Sequence, residues 1–163
     1  MQNTFQIRRA TAQDADIIAW HRARMFQDMG DLCDNVFEIL RVKAGVRLKE
    51  WLESSDYIGW LVIPADKPKM VVGGAGVQLH PILPRPLNES TIGEGRQGTI
   101  VNVFIEPQWR RRGIAGLLIK EIITWSRNEQ IDRLLLHASD EGRSLYERLG
   151  FIDGNEMCFV GIS

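Results

Sequence analysis

The sequence predicts one α+β domain, and three observations predict it. Short strand-forming runs and helical patterns follow one another in the order β-α-α-β-β-β-α-β-α-β. A helical stretch at 110–127 stands between apolar runs at 99–105 and 131–138, a spacing that fits parallel strands joined by a crossover helix. No repeat, low-complexity tract or long linker divides the 163 residues, so 1–163 reads as a single domain able to bury its own core.

The first strand is "FQIRR", residues 5–9, which alternates apolar and polar positions. Thr11 then offers an N-cap, with Asp14 three residues on as its capping-box partner. Ala15, Ile18, Ala19, Arg22, Phe26 and Met29 recur at helical spacing until Gly30 stops the helix. A second helix is expected from Asp34 to about Ser54, turning Val36, Ile39, Leu40 and Trp51 inward. "YIGWLVI" and "MVVGGAGVQL" read as strands joined by the turn "PADKPK", and "GGAG" at 73–76 reads as a bulge or bend. Residues 81–98 form a proline- and glycine-rich loop. "TIVNVFI", apolar on both faces, is expected in the sheet centre. Ile114, Leu117, Leu118, Ile122 and Trp125 form one stripe of the next helix. "IDRLLLHA" follows as another central strand, then a short helix closed by Gly150, then a final strand "MCFVGI" at 157–162.

Composition narrows the function. A formal net charge of −1 provides no field to recruit nucleic acid or an acidic membrane surface. The N-terminal residues lack a secretory signal pattern, and no apolar run approaches the ~20 residues of a membrane span. Cys33 and Cys158 are far apart, so neither a disulfide framework nor a zinc site is expected and a cytoplasmic location is the default. His21, His80 and His137 are equally scattered, and no metal is expected.

One stretch breaks a local rule: "EPQWRRRGIAGLLIKEIITW", residues 106–125. Pro107 ends the preceding strand and the helix is expected to begin near Arg110. The first N–H groups of a helix are unpaired donors, and the dipole makes that end positive. Arg110, Arg111 and Arg112 therefore sit where cations are disfavoured, unless an anion joins them. A polyphosphate would bring donors, dipole and arginines into agreement, with Gly113, Ala115 and Gly116 letting it approach the backbone. An exposed basic helix end is the other reading of the same charges. DNA reading fits less well, because 114–125 is mostly apolar. "GEGRQG" at 93–98 matches a dinucleotide fingerprint by letter only, since a loop precedes it and a strand follows.

The segment "RQGTIVNVFIEPQWRRRGIAGLLIKEII", followed by "LLLHASDEGRSLYERLGF", resembles the GNAT (Gcn5-related) superfamily of acyl-CoA-dependent N-acetyltransferases. Arg110-Arg111-Arg112-Gly113-Ile114-Ala115 matches that family's first signature, and Tyr146 with Gly150-Phe151 matches the second. The resemblance is specific from about 98 to 152. It implies a GNAT-like fold, a mixed twisted sheet of six or seven strands flanked by four helices. It also implies that the backbone of Arg110 to Gly116 cradles the coenzyme A pyrophosphate, and that Val103, Phe104 and Ile105 pair with the pantetheine arm as an added strand. A backbone N–H there would stabilise the oxyanion. Family members often carry Asn seven residues before the tyrosine. This chain has Ser139, whose shorter side chain can still hydrogen-bond.

The implied reaction is direct attack of a primary amine, on a small molecule or a peptide, on the thioester of acetyl-CoA. Coenzyme A leaves as a thiolate of pKa near ~8.5, and a phenol near ~10 can return its proton, a role that falls to Tyr146. The base is not legible. Glu94, Glu106, His80 and His137 are candidates beside an ordered water relay, and Asn102 is the polar interruption of "TIVNVFI". The acceptor wall is expected from the first two helices and the 81–98 loop, with Trp20, His21, Arg24, Met25 and Asp28 as its material. Few cues to symmetry are present, and a homodimer stands as a guess. A catalytically silent acyl-CoA-binding module engaging a partner protein is the alternative function.

Overall fold

The computed structural model describes residues 4–161. Five strands form one sheet: β1 (Phe5–Arg9), β2 (Tyr57–Pro64), β3 (Gly73–Pro81), β4 (Arg96–Ile105) and β5 (Arg133–Leu135). They lie side by side in chain order, antiparallel except for the parallel pair β4–β5. Four helices flank them: α1 (Ala15–Asp28), α2 (Asp34–Ser54), α3 (Ile114–Asn128) and α4 (Arg143–Arg148).

Side-chain alternation along β2 explains the layering. Tyr57 and Leu61 face α1 and α2, where they bury Ala15, Ile18, Ala19 and Leu48. Trp60 and Val62 face the other way, onto Ile114, Leu118, Ile119, Ile122 and Trp125 of α3. A strand covered on both sides reads as a continuous apolar run, as "YIGWLVI" does. The entry to α1 is fixed by Asp14, whose carboxylate accepts the Thr11 N–H at 2.8 Å and both terminal nitrogens of Arg8 at 2.9 and 2.8 Å. That is the capping arrangement the sequence predicts.

Several expectations are corrected. The sheet has five strands among the described residues, not six or seven. Residues 157–161 of the expected final strand form none, and Met157 and Phe159 are 97% and 93% exposed. A short apolar run makes a strand only where an edge and a covered face receive it, and β5 offers an edge of just three residues. With no strand beyond it among the described residues, β5 is the margin of the sheet rather than a central strand, while β4 is internal. Val36 and Ile39 are exposed on α2, and Leu117 is exposed on α3, where buried Ile119 takes its place.

Candidate active site

The stretch after β4 turns through a 3-10 segment, Pro107–Trp109, and α3 starts at Ile114 rather than near Arg110. The three arginines therefore lie ahead of the helix, in a loop of unusual backbone. Arg111 has φ +63° and Gly113, the N-cap, has φ +77°. Left-handed residues interleaved with ordinary ones turn successive N–H groups toward one side. The N–H groups of residues 111–116 find no acceptor among the described residues, and the first helical bond beyond them runs from the Leu117 N–H to the Gly113 carbonyl at 3.2 Å. Nothing lies within 4 Å of where a Gly113 Cβ would stand, so the space over this backbone is open. A Cβ at Gly116 would meet Leu145 at 3.6 Å, so that position packs against α4 instead of lowering the loop surface. Unaccepted N–H donors beneath open space are what a diphosphate requires, and the residues present fit such a group.

The arginine side chains have unequal roles. Arg110 is tied down: its Nε donates to the Ile105 carbonyl at 2.8 Å and its guanidinium pairs with Asp28 at 2.9 Å. Arg112 lies 4.7 Å over the Trp109 ring and reaches the Gln108 carbonyl at 3.2 Å. Arg111 is exposed, with no carboxylate partner among the described residues.

Beside this loop the sheet divides. Pairing between β4 and β5 covers Gln97–Thr99 against Arg133–Leu135 and then stops, while β4 runs on through Val103, Phe104 and Ile105. Those last residues keep β3 on one side and leave their other backbone edge unpaired by β5. Tyr146 of α4 is half-buried and meets Phe151 edge-on at 5.9 Å, against the α3-side core. Burial pushes its phenol above the ordinary tyrosine pKa. Ser139 is exposed ahead of α4, and its hydroxyl accepts the Gly142 N–H at 3.2 Å.

A β-bulge shapes the middle of β4. Gly74 opposes Phe104 but Gly76 opposes Val101, so Asn102 and Val103 together face Ala75. Asn102 takes the extra turn with φ +58°, a left-handed conformation that asparagine tolerates better than most residues. Both ends of its amide are engaged: Oδ1 accepts from Arg22 at 2.8 Å and Nδ2 donates to the Tyr57 hydroxyl at 3.1 Å. Tyr57 is fully buried and its pKa is pushed up to about 12, by desolvation first, against the opposing effects of Asn102 and Arg22. Only glycine fits at 76, where a Cβ would lie 2.0 Å from the Tyr57 hydroxyl oxygen. The register shift falls at Gly74–Gly76, within the "GGAG" expected as a bulge or bend, but the Arg22 and Tyr57 supports of Asn102 are not among the residues the sequence assigns to the site. Two signals mark this network: an arginine within the apolar stripe of the first helix, and a lone asparagine in an apolar strand.

The α1 side chains that the sequence offers for an acceptor wall include three, Trp20, His21 and Arg24, gathered around Phe104. Arg24 lies 4.8 Å from the Trp20 ring and 5.6 Å from Phe104, and Arg110 approaches Phe104 at 5.6 Å. His21 is 1% exposed, its ring 5.0 Å from that of Phe104, and its Nε2 has no hydrogen-bond partner among the described residues. Desolvation, aided by Arg24, lowers its pKa to about 4. Met25 is half-buried on the same helix. The base candidates do not converge: Glu94 precedes β4, Glu106 follows it, His137 is exposed, and His80 meets Gln97 at 3.0 Å where β4 begins. Among the described residues there is no group of acidic, histidine and cysteine side chains placed to hold a metal, and no helix is long and apolar enough to cross a membrane.

A family model described as Acetyltransferase (GNAT) family matches residues 14–151. The uncharacterized N-acetyltransferase ycf52 of Pyropia yezoensis is 26% identical over 114 residues, covering 66% of this chain and 66% of its own, just under two thirds of that relative. A GCN5-related N-acetyltransferase of Ralstonia eutropha superposes with TM-score 0.82 at 23% identity, over 96% of this chain and 98% of its own. A predicted acetyltransferase of Clostridium acetobutylicum, solved with acetyl-CoA, gives 0.79 at 22%, over 97% and 96%. These two likenesses concern the fold.

Proposed function

We propose that this chain, which belongs to the GNAT family of acetyltransferases, moves an acetyl group from acetyl-CoA to a primary amine of a small molecule or peptide by direct attack within a ternary complex. One observation carries the reading: the N–H donors of residues 111–116 stand unaccepted where β4 has parted from β5. That is an anion cradle set at the end of a strand with a free edge. The Clostridium acetobutylicum neighbour, solved with acetyl-CoA, supports the same reading.

In this reading Arg110 to Gly116 hold the diphosphate, with Arg111 and Arg112 supplying charge and Arg110 fixing the loop through Asp28. Val103, Phe104 and Ile105 offer the free strand edge to the pantetheine arm, and Ser139 stands at the opposite margin ahead of α4. Acetyl-CoA supplies an acyl group already activated as a thioester. Tyr146 holds its proton at neutral pH, more firmly for being half-buried, and so can deliver it to a departing thiolate. An alkyl ammonium near pKa ~10.4 must shed its proton to water or a side chain before it attacks.

The test is release of free thiol from acetyl-CoA on addition of primary amines. Amine-dependent thiol formation with an acetylated amine product is the expected result. Tight acetyl-CoA binding without turnover of any amine would leave a silent acyl-CoA module instead.

A further inference from the structure

Arg22 is the anomaly among the arginines. Arg8, Arg41, Arg110, Arg133 and Arg143, all reaching the surface, each pair with a carboxylate, where such a pair adds little stability. Arg22 is more buried and has no carboxylate partner among the described residues. Its neighbours are neutral: the Asn102 amide oxygen at 2.8 Å, the Phe26 ring at 5.0 Å, and the Tyr57 hydroxyl that shares Asn102. Burial disfavours its charge, Tyr57 opposes that only in part, and no carboxylate among the described residues pairs with it.

The location gives this imbalance a meaning. The guanidinium is held at the β4 bulge by the residue whose left-handed backbone makes the bulge. It comes from α1, on the sheet face opposite α3, a short way along β4 from Phe104 and Ile105. Arg24, two residues on, also lacks a carboxylate partner among the described residues and is stacked on Trp20 and Phe104. With one donor engaged by Asn102, the rest of the planar fork can take both oxygens of a carboxylate or two of a phosphate.

We propose that the amine acceptor carries an anionic group, a carboxylate or a phosphate, and that Arg22 receives it beside the β4 bulge. This rests on the acetyltransferase reading above. It assigns Arg22 to acceptor specificity and leaves acetyl-CoA binding to the loop at 110–116.

Matched probes test it: β-alanine against propylamine, and phosphoethanolamine against ethanolamine, each measured by thiol release and by thermal shift in the presence of CoA. The anionic member of at least one pair is expected to show ten-fold or greater advantage in kcat/KM, carried by KM, with the preferred pair telling carboxylate from phosphate. Arg22→Gln should reduce that advantage to near parity while the acetyl-CoA thermal shift stays as in the wild type, and Arg22→Lys should restore part of it. A purely structural arginine would lower both members of a pair equally, which overturns the proposal. So does a panel in which no anionic amine binds or reacts better than its neutral twin while the acetyl-CoA shift persists. Loss of the acetyl-CoA shift itself in the wild type would instead overturn the acetyltransferase reading.

Discussion

Arg110 in the loop after β4 and Asp28 at the end of α1 form an ion pair at 2.9 Å that joins the loop at 110–116 to the first helix. Both side chains are partly exposed, at 44% and 36%, so the pair contributes little to stability, about 1 kcal/mol or less. Its effect lies in position, because the same guanidinium also binds the Ile105 carbonyl and thereby sets where the loop leaves the strand. Asp28→Asn is therefore expected to leave the melting temperature nearly unchanged while raising KM for acetyl-CoA several-fold at similar kcat. Steady-state kinetics beside a melt would check both halves.

Gly113 has φ +77° with open space around it, so an added methyl group meets no atom but does meet the backbone penalty of a left-handed L-residue. Gly113→Ala should cost about 1–2 kcal/mol. It should also weaken acetyl-CoA, because relaxing φ turns the neighbouring N–H groups away from their common side. Calorimetric titration of the variant would show a higher Kd, whereas Gly154→Ala, at an exposed glycine of ordinary φ, should show none.

The layers of the fold were legible because their signals are local: the apolar run of β2, the Asp14 cap and the stripe of α3 each follow from a few neighbouring residues. The start of α3 was not. Helical propensity in "RRRGIAG" says nothing about the two left-handed residues that hold Arg111 and Gly113 outside the helix. The final strand failed for a tertiary reason, since its apolar pattern needs an edge that β5 is too short to supply. The loop at 110–116 and Tyr146 stand out in the sequence as motifs, and their roles toward acetyl-CoA are part of the proposal. The Asn102–Arg22–Tyr57 network does not stand out, because its members are separated by 80 and 45 positions and meet only through the bulge.

His21 gives a pH dependence of definite sign. Its folded-state pKa of about 4 lies below the usual histidine value near 6.5, so the unfolded chain binds the proton more readily. Stability from this group is complete above pH 6.5 and is lost as pH falls toward 4, a change on the order of 3 kcal/mol. Urea melts at pH 7 and pH 4.5 should differ more for the wild type than for His21→Gln, the excess being this residue's share.

Tyr146→Phe keeps the ring that packs on Phe151 and removes only the hydroxyl. If Tyr146 is the acid, kcat should drop by about 100-fold or more while acetyl-CoA affinity is retained. In the wild type, the alkaline fall in rate assigned to this tyrosine should lie above the ordinary phenol range, as its burial dictates. An unchanged kcat in the variant would remove Tyr146 from the chemistry.

Acetyl-CoA binding at the 111–116 backbone is the claim on which the rest depends, and a thermal melt with and without that ligand reaches it directly. At 100 times its dissociation constant, acetyl-CoA should add about 2.7 kcal/mol and raise Tm by several degrees. The shift should be sharply reduced in Gly113→Glu, which brings a carboxylate to the cradle at a left-handed position. A wild type whose Tm does not move at saturating acetyl-CoA would contradict the account.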